Sequence, residues 1–206
     1  MSVITISRPL GAGGRTLGHM LAKRLGYTFI SNEIIQLVAE RAKVSPGVVE
    51  AHENEAGWKF QRFLSGFVPK TFVDRLFTTE SPEGFSEEIY VDLLHKIIDQ
   101  IAQEGNAVIL GRGAQFILKG YPDAYHLLLA ASRENRIRFL QEYYDLTVEQ
   151  AVKALELEDG RRANLYRKFG RDDYDQGHHY HLVLNMDKLS LEDAVEIVFE
   201  MIHPAT

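Results

Sequence analysis

A glycine-rich turn near the start of the chain restricts the possible folds more than any other feature of the sequence. Residues 3–6 form a short β-favouring run, Gly11, Gly13 and Gly14 follow it, and residues 16–25 carry apolar side chains at helical spacing. A strand that turns through glycines into a helix presents backbone N–H groups at the positive end of the helix dipole. The sequence therefore predicts an anion site, of the kind that binds phosphate, where the first strand ends.

The turn departs from the standard phosphate-loop pattern, which is Gly, four residues and then Gly-Lys-Ser/Thr. Arg8 stands at the first glycine position and Gly14 at the lysine position, and Arg15 follows it. The dinucleotide pattern Gly-x-Gly-x-x-Gly also fails, because Thr16 stands where the third glycine belongs. The loop alone therefore leaves a second interpretation open, namely a turn that uses glycine only to reach positive φ.

Length and composition restrict the class of protein. The 206 residues suffice for one α/β domain spanning residues 1–206, and 45% apolar and 25% charged residues are ordinary for a globular chain. A net charge of −6 predicts no DNA or RNA partner. The absence of cysteine excludes disulfides, thiolate catalysis and cysteine-bound zinc. Because no membrane span or leader pattern is visible, we expect no membrane partner and a cytoplasmic location.

Apolar runs of strand length alternate with helical patterns along the rest of the chain. Further strands are predicted at residues 27–30, 107–110, 125–130 and 181–185. Helices are predicted at residues 33–41, from Ser86 towards Gly105, after Ser132, from Thr147 onwards, and at 191–202. Because the strands are apolar throughout, they predict a parallel sheet with helices on both faces.

An aromatic segment interrupts this alternation. Residues 58–85 contain seven tryptophan and phenylalanine residues, broken up by glycines and prolines. One interpretation is a pair of short helices that pack their aromatic faces on the core. The other is a flap over the substrate or the contact surface of a homodimer.

Arginine is concentrated where parallel strands are expected to bind ligands. Such ligands lie beyond the carboxyl ends of the strands, and Arg112 follows the 107–110 strand directly. The arginine-rich stretch 133–171 follows the 125–130 strand. The planar guanidinium fork grips phosphate oxygens in pairs and stays charged. The pattern therefore favours a site for a chain of phosphates.

The arginines of this stretch divide into two groups. Arg136 and Arg138 are interpreted as a solvated helix face paired with acidic neighbours. Arg161, Arg162 and Arg167, which precede a break in the helical pattern at residue 170, are interpreted as functional. The histidines at 178, 179 and 181 are interpreted as a polar joint, since adjacent side chains on an extended chain point to opposite faces and disfavour a metal site.

With these motifs the chain resembles the cytidylate kinase-like family, relatives of bacterial cytidylate kinase within the nucleoside monophosphate kinases. The resemblance rests on five segments in the family's order, residues 6–16, 25–30, 108–113, 128–132 and 180–185. It implies an α/β, P-loop kinase-type three-layer sandwich with a five-stranded parallel sheet and helices on both faces. It also implies an acceptor-side helical insert at about residues 43–85 and a small arginine-rich lid at about residues 158–178.

The resemblance further implies a donor site for ATP with Mg²⁺ and an acceptor site for a nucleoside monophosphate. The residues expected to bind nucleotide phosphates are Arg8, Gly11, Ala12, Gly13, Gly14, Arg15 and Thr16, with Mg²⁺ on the Thr16 hydroxyl. Arg15 or Arg8 is expected to replace the missing lysine charge. The expected catalytic residues are Arg15, Arg161, Arg162 and Arg167, and the expected acceptor residues are Ser31 and Arg112.

Departures from the family pattern keep several functions open. Gly14 replaces the lysine, Ser31 stands where an aspartate is expected, and Leu110 and Gly113 replace acidic residues that flank the Gly-Arg pair. The favoured function is an ATP-dependent phosphotransferase acting on a nucleoside monophosphate or similar small phosphorylated acceptor. The alternatives are a catalytically weak or inactive nucleotide-binding or sensor protein, and a kinase for a non-nucleotide acceptor.

Overall fold

A five-stranded parallel sheet forms the centre of the molecule. The computed structural model describes residues 2–31, 33–43, 45–47, 49 and 86–203. The strands are β1 (Val3–Ser7), β2 (Thr28–Ile30), β3 (Ala107–Leu110), β4 (Ala124–Ala130) and β5 (Leu182–Asn185). They lie in the order β2-β3-β1-β4-β5, and every pair is parallel. The predicted sheet is confirmed, and no strand end differs from its predicted position by more than one residue.

Helices cover both faces of this sheet. The helices of the described residues are α1 (Gly14–Leu25), α2 (Glu33–Ala42), α3 (Glu87–Glu104), α4 (Ala114–Ile117), α5 (Arg133–Tyr144), α6 (Val148–Lys168) and α7 (Leu191–Ile202). A short 3₁₀ helix, Gly177–His179, precedes β5. The sequence did not predict α4, which is only one turn long and has no amphipathic period to detect.

Two apolar clusters separate the layers. On one face Val3, Ala107 and Ile109 pack with α2, α3 and α4. On the other face Ile4 and Val108 pack with α1 and α7. Successive strand residues point to opposite faces, so a strand buried on both sides must be apolar at every position. This requirement explains the uninterrupted apolar runs of the sequence.

Polar side chains fix where most of the helices begin. Ser86, Ser132, Thr147 and Ser190 each accept a hydrogen bond from a backbone N–H in the first turn of the helix that follows. Such a cap contributes about 1 kcal/mol. The sequence predicted caps at Ser132 and Thr147, and the Thr147–Gln150 pair forms the expected capping box.

The insert predicted at about residues 43–85, including the aromatic segment 58–85, lies outside the described residues except for a few at its start. Of the helices that the structure describes, none has the length and apolar character that a membrane crossing requires.

Candidate functional site

A cavity of about 280 Å³ opens at the carboxyl ends of β1 and β3. Ten of the residues singled out from the sequence line it: Arg8, Gly11, Gly13, Gly14, Arg15, Thr16, Ser31, Arg112, Arg161 and Arg162. They come from four separate parts of the chain, namely the β1–α1 loop, the end of β2, the turn after β3, and α6. The structure therefore brings the predicted donor and acceptor residues together around one space.

The β1–α1 loop leaves the start of α1 open to an anion. Gly11 and Gly13 have φ values of 80° and 77°, which residues other than glycine rarely adopt. Gly13 is the N-cap of α1 and forms no side-chain cap hydrogen bond, and the first turn carries no acidic residue. The four helices named above are capped by hydroxyl groups, whereas α1 keeps its first N–H groups available to a ligand. Helix α4 also begins after an uncapped glycine, but it is only one turn long.

A buried arginine holds this loop from below. Arg136 of α5 donates from Nε to the Leu10 carbonyl oxygen at 2.6 Å and from Nη2 to Asp159 Oδ1 at 2.6 Å. A Cβ on Gly11 would lie 2.7 Å from the Arg136 carbonyl oxygen, so the loop and α5 approach closely. The interpretation of Arg136 as part of a solvated face was wrong, because its side chain is only 10% exposed and fastens the loop to α6.

The turn after β3 has a strained backbone. Gly111, Arg112 and Gly113 have φ of 77°, 59° and 69°, three left-handed residues in succession. A non-glycine residue in this region costs roughly 1 kcal/mol or more. The strain at Arg112 is confined to a turn that lines the cavity.

The charge of the cavity is strongly positive. Five arginines and one glutamate, Glu158, are the charged residues of its described lining. Desolvation and the nearby Arg112 and Arg162 cations lower the pKa of Arg8 to about 10. Arg8 therefore remains charged at neutral pH, in surroundings where a bound anion would be stabilised.

Two arginines of α6 face the cavity with acidic partners. Arg161 forms an ion pair with Glu158 one turn earlier on the helix. Arg162 donates from Nη1 to Asp175 Oδ2 at 2.7 Å and from Nη2 to Ser7 Oγ at 2.9 Å. Both side chains are thus oriented at the edge of the cavity.

A buried polar network joins α6 to the end of β1. The Tyr166 hydroxyl lies 2.8 Å from Ser7 Oγ and accepts a hydrogen bond from Gln115 Nε2 at 3.0 Å. Gln115 Nε2 also donates to the Tyr180 hydroxyl at 3.2 Å. The network ties α6, α4 and the segment before β5 to the strand that leads into the loop.

Two predicted site residues lie elsewhere. Arg167 is exposed and does not line the cavity, because its position on α6 turns it away from the side that carries Arg162 and Tyr166. Ala12 lines a neighbouring cavity of about 310 Å³ between the β1–α1 loop, α5 and the β5–α7 loop. Arg138, interpreted as solvated, also lines that second cavity.

Sequence reasoning missed several lining residues. They are Leu10, Leu110, Gly111, Phe139, Tyr144, Glu158, Leu165 and Tyr166. Leu165 and Tyr166 could have been predicted from the sequence, since they lie one turn beyond Arg161 and Arg162 on the same helix. Phe139 and Tyr144 carried no local signal, because their proximity to the loop depends on how α5 packs.

Thr16 provides an oxygen ligand where a nucleotide-bound Mg²⁺ is expected. Thr16 lies in the first turn of α1 and lines the cavity. Mg²⁺ prefers oxygen ligands and commonly uses one or two protein groups together with substrate phosphates. The hydroxyl oxygen of Thr16 is therefore a suitable ligand for the ion.

The histidines before β5 have a different geometry from the one assumed. Residues 177–179 form a 3₁₀ helix rather than an extended chain, and ligand atoms of Asp173, His178 and His179 lie within 4.8 Å of one another. A hydrogen bond of 2.7 Å between His179 Nε2 and Asp173 Oδ2 accounts for the central contact. The premise that adjacent histidines diverge was wrong here, and the group joins the end of α6 to β5.

The fold and the site define a P-loop kinase-type protein: a parallel sheet of order 2-3-1-4-5 with a glycine loop and an open helix N-terminus at the end of its central strand. The chain belongs to the cytidylate kinase-like family, whose model matches residues 3–188. Family and fold are those of nucleotide-binding phosphotransferases.

A match to one relative agrees with this assignment. A cytidylate kinase from Roseiflexus castenholzii is 44% identical over 55 residues, which are 27% of this chain and 23% of that protein. The match thus spans about a quarter of that relative's length.

Solved structures show the same fold at low identity. An uncharacterized protein from Eubacterium ventriosum has a TM-score of 0.65 at 15% identity, covering 99% of both chains. A gluconokinase from Sinorhizobium meliloti has a TM-score of 0.53 at 13% identity, covering 98% of this chain and 91% of its own. A shikimate kinase from Acinetobacter baumannii, in complex with shikimate, has 0.52 at 13% identity, covering 98% and 93%.

Proposed function

We propose that this protein is an ATP-dependent phosphotransferase that moves a γ-phosphoryl group to a nucleoside monophosphate or a similar small phosphorylated acceptor. The observation that carries the proposal is the convergence of five arginines and an uncapped helix N-terminus on one cavity at the sheet edge. Membership in the cytidylate kinase-like family supports the same reaction class.

The charge of the cavity favours phosphorylated ligands. Five arginines line it, and the acidic residues beside them are Glu158, which pairs with Arg161, and Asp175, which pairs with Arg162. A net positive charge therefore remains at the cavity, and phosphate groups on the donor and the acceptor would neutralise it.

In this proposal the β1–α1 loop binds the donor. Backbone N–H groups from Gly11 to Arg15 bind the β-phosphate, and the Thr16 hydroxyl would hold Mg²⁺, which supplies charge neutralisation on the phosphate oxygens. The second cavity, beside Ala12 and the aromatic pair Phe139 and Tyr143, takes the base and sugar of the donor.

The transfer itself is direct and in line, without a covalent intermediate, so the protein contributes positioning and charge. Arg161 and Arg162 neutralise the transferring group from α6, and Arg112 with Ser31 holds the acceptor across the cavity. Arg167 takes part only if α6 rotates or moves towards the loop. Arginines in such a role can contribute about a thousandfold in rate.

A nucleotide-binding protein without transfer activity is the second candidate. The observation in its favour is that Arg161 and Arg162 are already paired, with Glu158 and Asp175. If those pairs persist in the bound state, both guanidinium groups lose much of their effect on a phosphoryl group.

A panel of monophosphates tests the proposal. ADP release is measured with ATP, Mg²⁺ and each nucleoside monophosphate, with shikimate and gluconate as monocarboxylate controls. We expect one or more monophosphates to stimulate ADP release well above the background ATPase. Stimulation by a monocarboxylate alone would support a non-nucleotide acceptor, and ATP binding without stimulation by any acceptor would support the non-catalytic candidate.

A further inference from the structure

The Arg8 side chain fills the space that a side chain at position 14 would occupy. A Cβ on Gly14 would lie 2.6 Å from Arg8 Cγ and 3.2 Å from Arg8 Cδ. Real Cβ atoms do not approach other carbons this closely, and Cγ is too near the Arg8 backbone to move away easily. The aliphatic part of Arg8 therefore passes directly over the Cα atom of Gly14.

Gly14 is required for space rather than for backbone conformation. It is the first residue of α1, and its φ is not among the positive values that Gly11 and Gly13 adopt. Glycine within a helix is less favourable than alanine. The three heavy atoms nearest to a Cβ at position 14 all belong to Arg8, so Arg8 is the side chain that excludes a larger residue there.

The Arg8 guanidinium reaches the opposite wall of the cavity. A Cβ on Gly111 would lie 2.9 Å from Arg8 Nη1. The side chain thus crosses from the end of β1, over the first turn of α1, to the turn after β3. Its charged end lies between the residues proposed to bind the donor and Arg112, which is proposed to bind the acceptor.

Arg15, the other candidate for the missing lysine charge, is held differently. It is exposed at the edge of the cavity in the first turn of α1. Arg8 is only partly exposed, and water therefore screens its interaction with an anion less than it would for a fully solvated side chain. The neighbouring Arg112 and Arg162 cations add to the attraction for an anion.

We infer that Arg8 and Gly14 are a reciprocal exchange, in which Arg8 supplies from the first position of the loop the phosphate-binding charge that lysine supplies from position 14 in the standard pattern. The inference rests on the proposed donor site. It makes the two departures from the phosphate-loop pattern a single coupled change, because the arginine fits only when position 14 has no side chain. Restoring the lysine alone should consequently impair the loop instead of repairing it.

A double-mutant cycle tests this coupling. Binding of magnesium-bound ATP and of inorganic tripolyphosphate is measured by calorimetry for the wild type, Arg8→Gly, Gly14→Lys and the double variant Arg8→Gly/Gly14→Lys. We expect each single change to weaken binding by roughly tenfold to a hundredfold, as loss of a charged hydrogen bond would. The double variant should bind within a few-fold of the wild type. Losses that add in the double variant would overturn the coupling.

A second pair of variants tests the steric contact without using nucleotide. Gly14→Ala is expected to lower the melting temperature in the wild-type background and to leave it unchanged or raise it in the Arg8→Gly background. Equal effects in both backgrounds would overturn the contact, even if Gly14→Lys fails to fold. Arg24→Gln is the control for loss of an arginine charge, since Arg24 lies on α1 as Gly14 does and forms an exposed ion pair with Glu196 of α7.

The outcomes also separate this inference from the proposed function. A wild-type protein that binds neither magnesium-bound ATP nor tripolyphosphate overturns the donor site and the inference together. A wild-type protein that binds both, with additive losses in the cycle, overturns the exchange alone and leaves the proposed function standing.

Discussion

Single arginines in this molecule have different functions although the sequence makes them look alike. Arg133 and Arg136 both lie on α5 and both pair with an acidic residue of α6 that is 23 positions further along the chain. The Arg133 side chain is 52% exposed and the Arg136 side chain 10%. Only Arg136 also binds a backbone carbonyl of the glycine loop.

Arg136→Gln is expected to destabilise the protein by about 1.5–3 kcal/mol, because Leu10 O and Asp159 lose a charged donor in a buried place. Arg133→Gln, the matched change one turn earlier, should cost less than about 1 kcal/mol. Urea unfolding of both variants measures the difference. Equal losses would show that the loop contact does not contribute to stability.

Arg112→Gly is expected to separate stability from binding. Glycine relieves the left-handed strain at φ 59°, while loss of the Arg112 side-chain contacts and the greater freedom of glycine in the unfolded chain act in the opposite direction. The free energy of unfolding should therefore stay within about 1 kcal/mol of the wild type, while the acceptor loses its guanidinium partner. Asn106→Gly, with φ 52° at the opposite end of β3, is the control and should leave acceptor KM unchanged. A loss of stability well above about 1 kcal/mol for Arg112→Gly, measured in urea, would contradict this account.

His126 is expected to make stability depend on pH. Burial lowers its pKa to about 4, and the stacked His181 ring at 4.9 Å acts in the same direction. In the unfolded chain His126 takes up a proton near pH 6.5, whereas in the folded protein it does so only near pH 4. The contribution of His126 to stability is therefore complete above pH 6.5 and decreases towards pH 4, by an amount on the order of 3 kcal/mol. Urea unfolding against pH, compared with His126→Asn, should show a smaller fall in the variant.

At the scale of elements, α6 connects the cavity to the segment that follows it. Its second half contributes Glu158, Arg161 and Arg162 to the cavity lining. Arg162 then reaches both Ser7 and Asp175. The predicted lid at about residues 158–178 thus consists of helix and loop that contact the end of β1 directly.

Hydrogen exchange tests whether this lid responds to nucleotide. We expect magnesium-bound ATP to slow amide exchange in residues 8–16 and in residues 158–178, because phosphates would draw Arg161 and Arg162 towards the loop. Peptides from the second half of α7 serve as the control. Protection confined to residues 8–16 would show that α6 does not act as a lid.

The elements that the sequence predicted correctly are those set by neighbouring residues. The caps at Ser132 and Thr147 and the bounds of α7 follow from side chains within one helical turn. Arg136 was misinterpreted because its acceptor at Leu10 is 126 positions away in the chain. The bond between Ser7 and Tyr166 spans 159 positions and has no local pattern at all.

The same division applies to the site. Glycines and arginines announce phosphate chemistry by residue type, so most of the predicted site residues do line the cavity. Which guanidinium lies over which glycine depends on how β1, α1 and β3 pack. The 2.6 Å distance between Arg8 Cγ and a Cβ on Gly14 could therefore not be predicted from any periodicity in the sequence.

At the scale of the whole molecule, the strand order concentrates ligand-binding groups at one edge. The central strand β1 has β3 on one side and β4 on the other, so loops from both halves of the chain meet where β1 ends. A ligand at that edge would contact strands and helices that also form the two apolar clusters. Its binding should therefore stabilise the entire domain against unfolding.

Magnesium-bound ATP at a hundred times its dissociation constant is expected to add about 2.7 kcal/mol to the unfolding free energy. For a chain of this size the melting temperature should rise by roughly 5–10 °C. Differential scanning calorimetry measures the shift, with adenosine as the phosphate-free control. An equal rise with adenosine would show that the glycine loop is not the main contact.

The use of guanidinium groups alone around the cavity affects how this protein can be detected. The described lining includes no lysine, so amine-acylating nucleotide probes, which tag purine-binding proteins in cell extracts, would find no primary amine to modify there. Dicarbonyl reagents such as phenylglyoxal attack guanidinium side chains and would modify Arg8, and occupancy by ATP would shield it. Chemical surveys based on amine capture would consequently undercount proteins with this kind of loop.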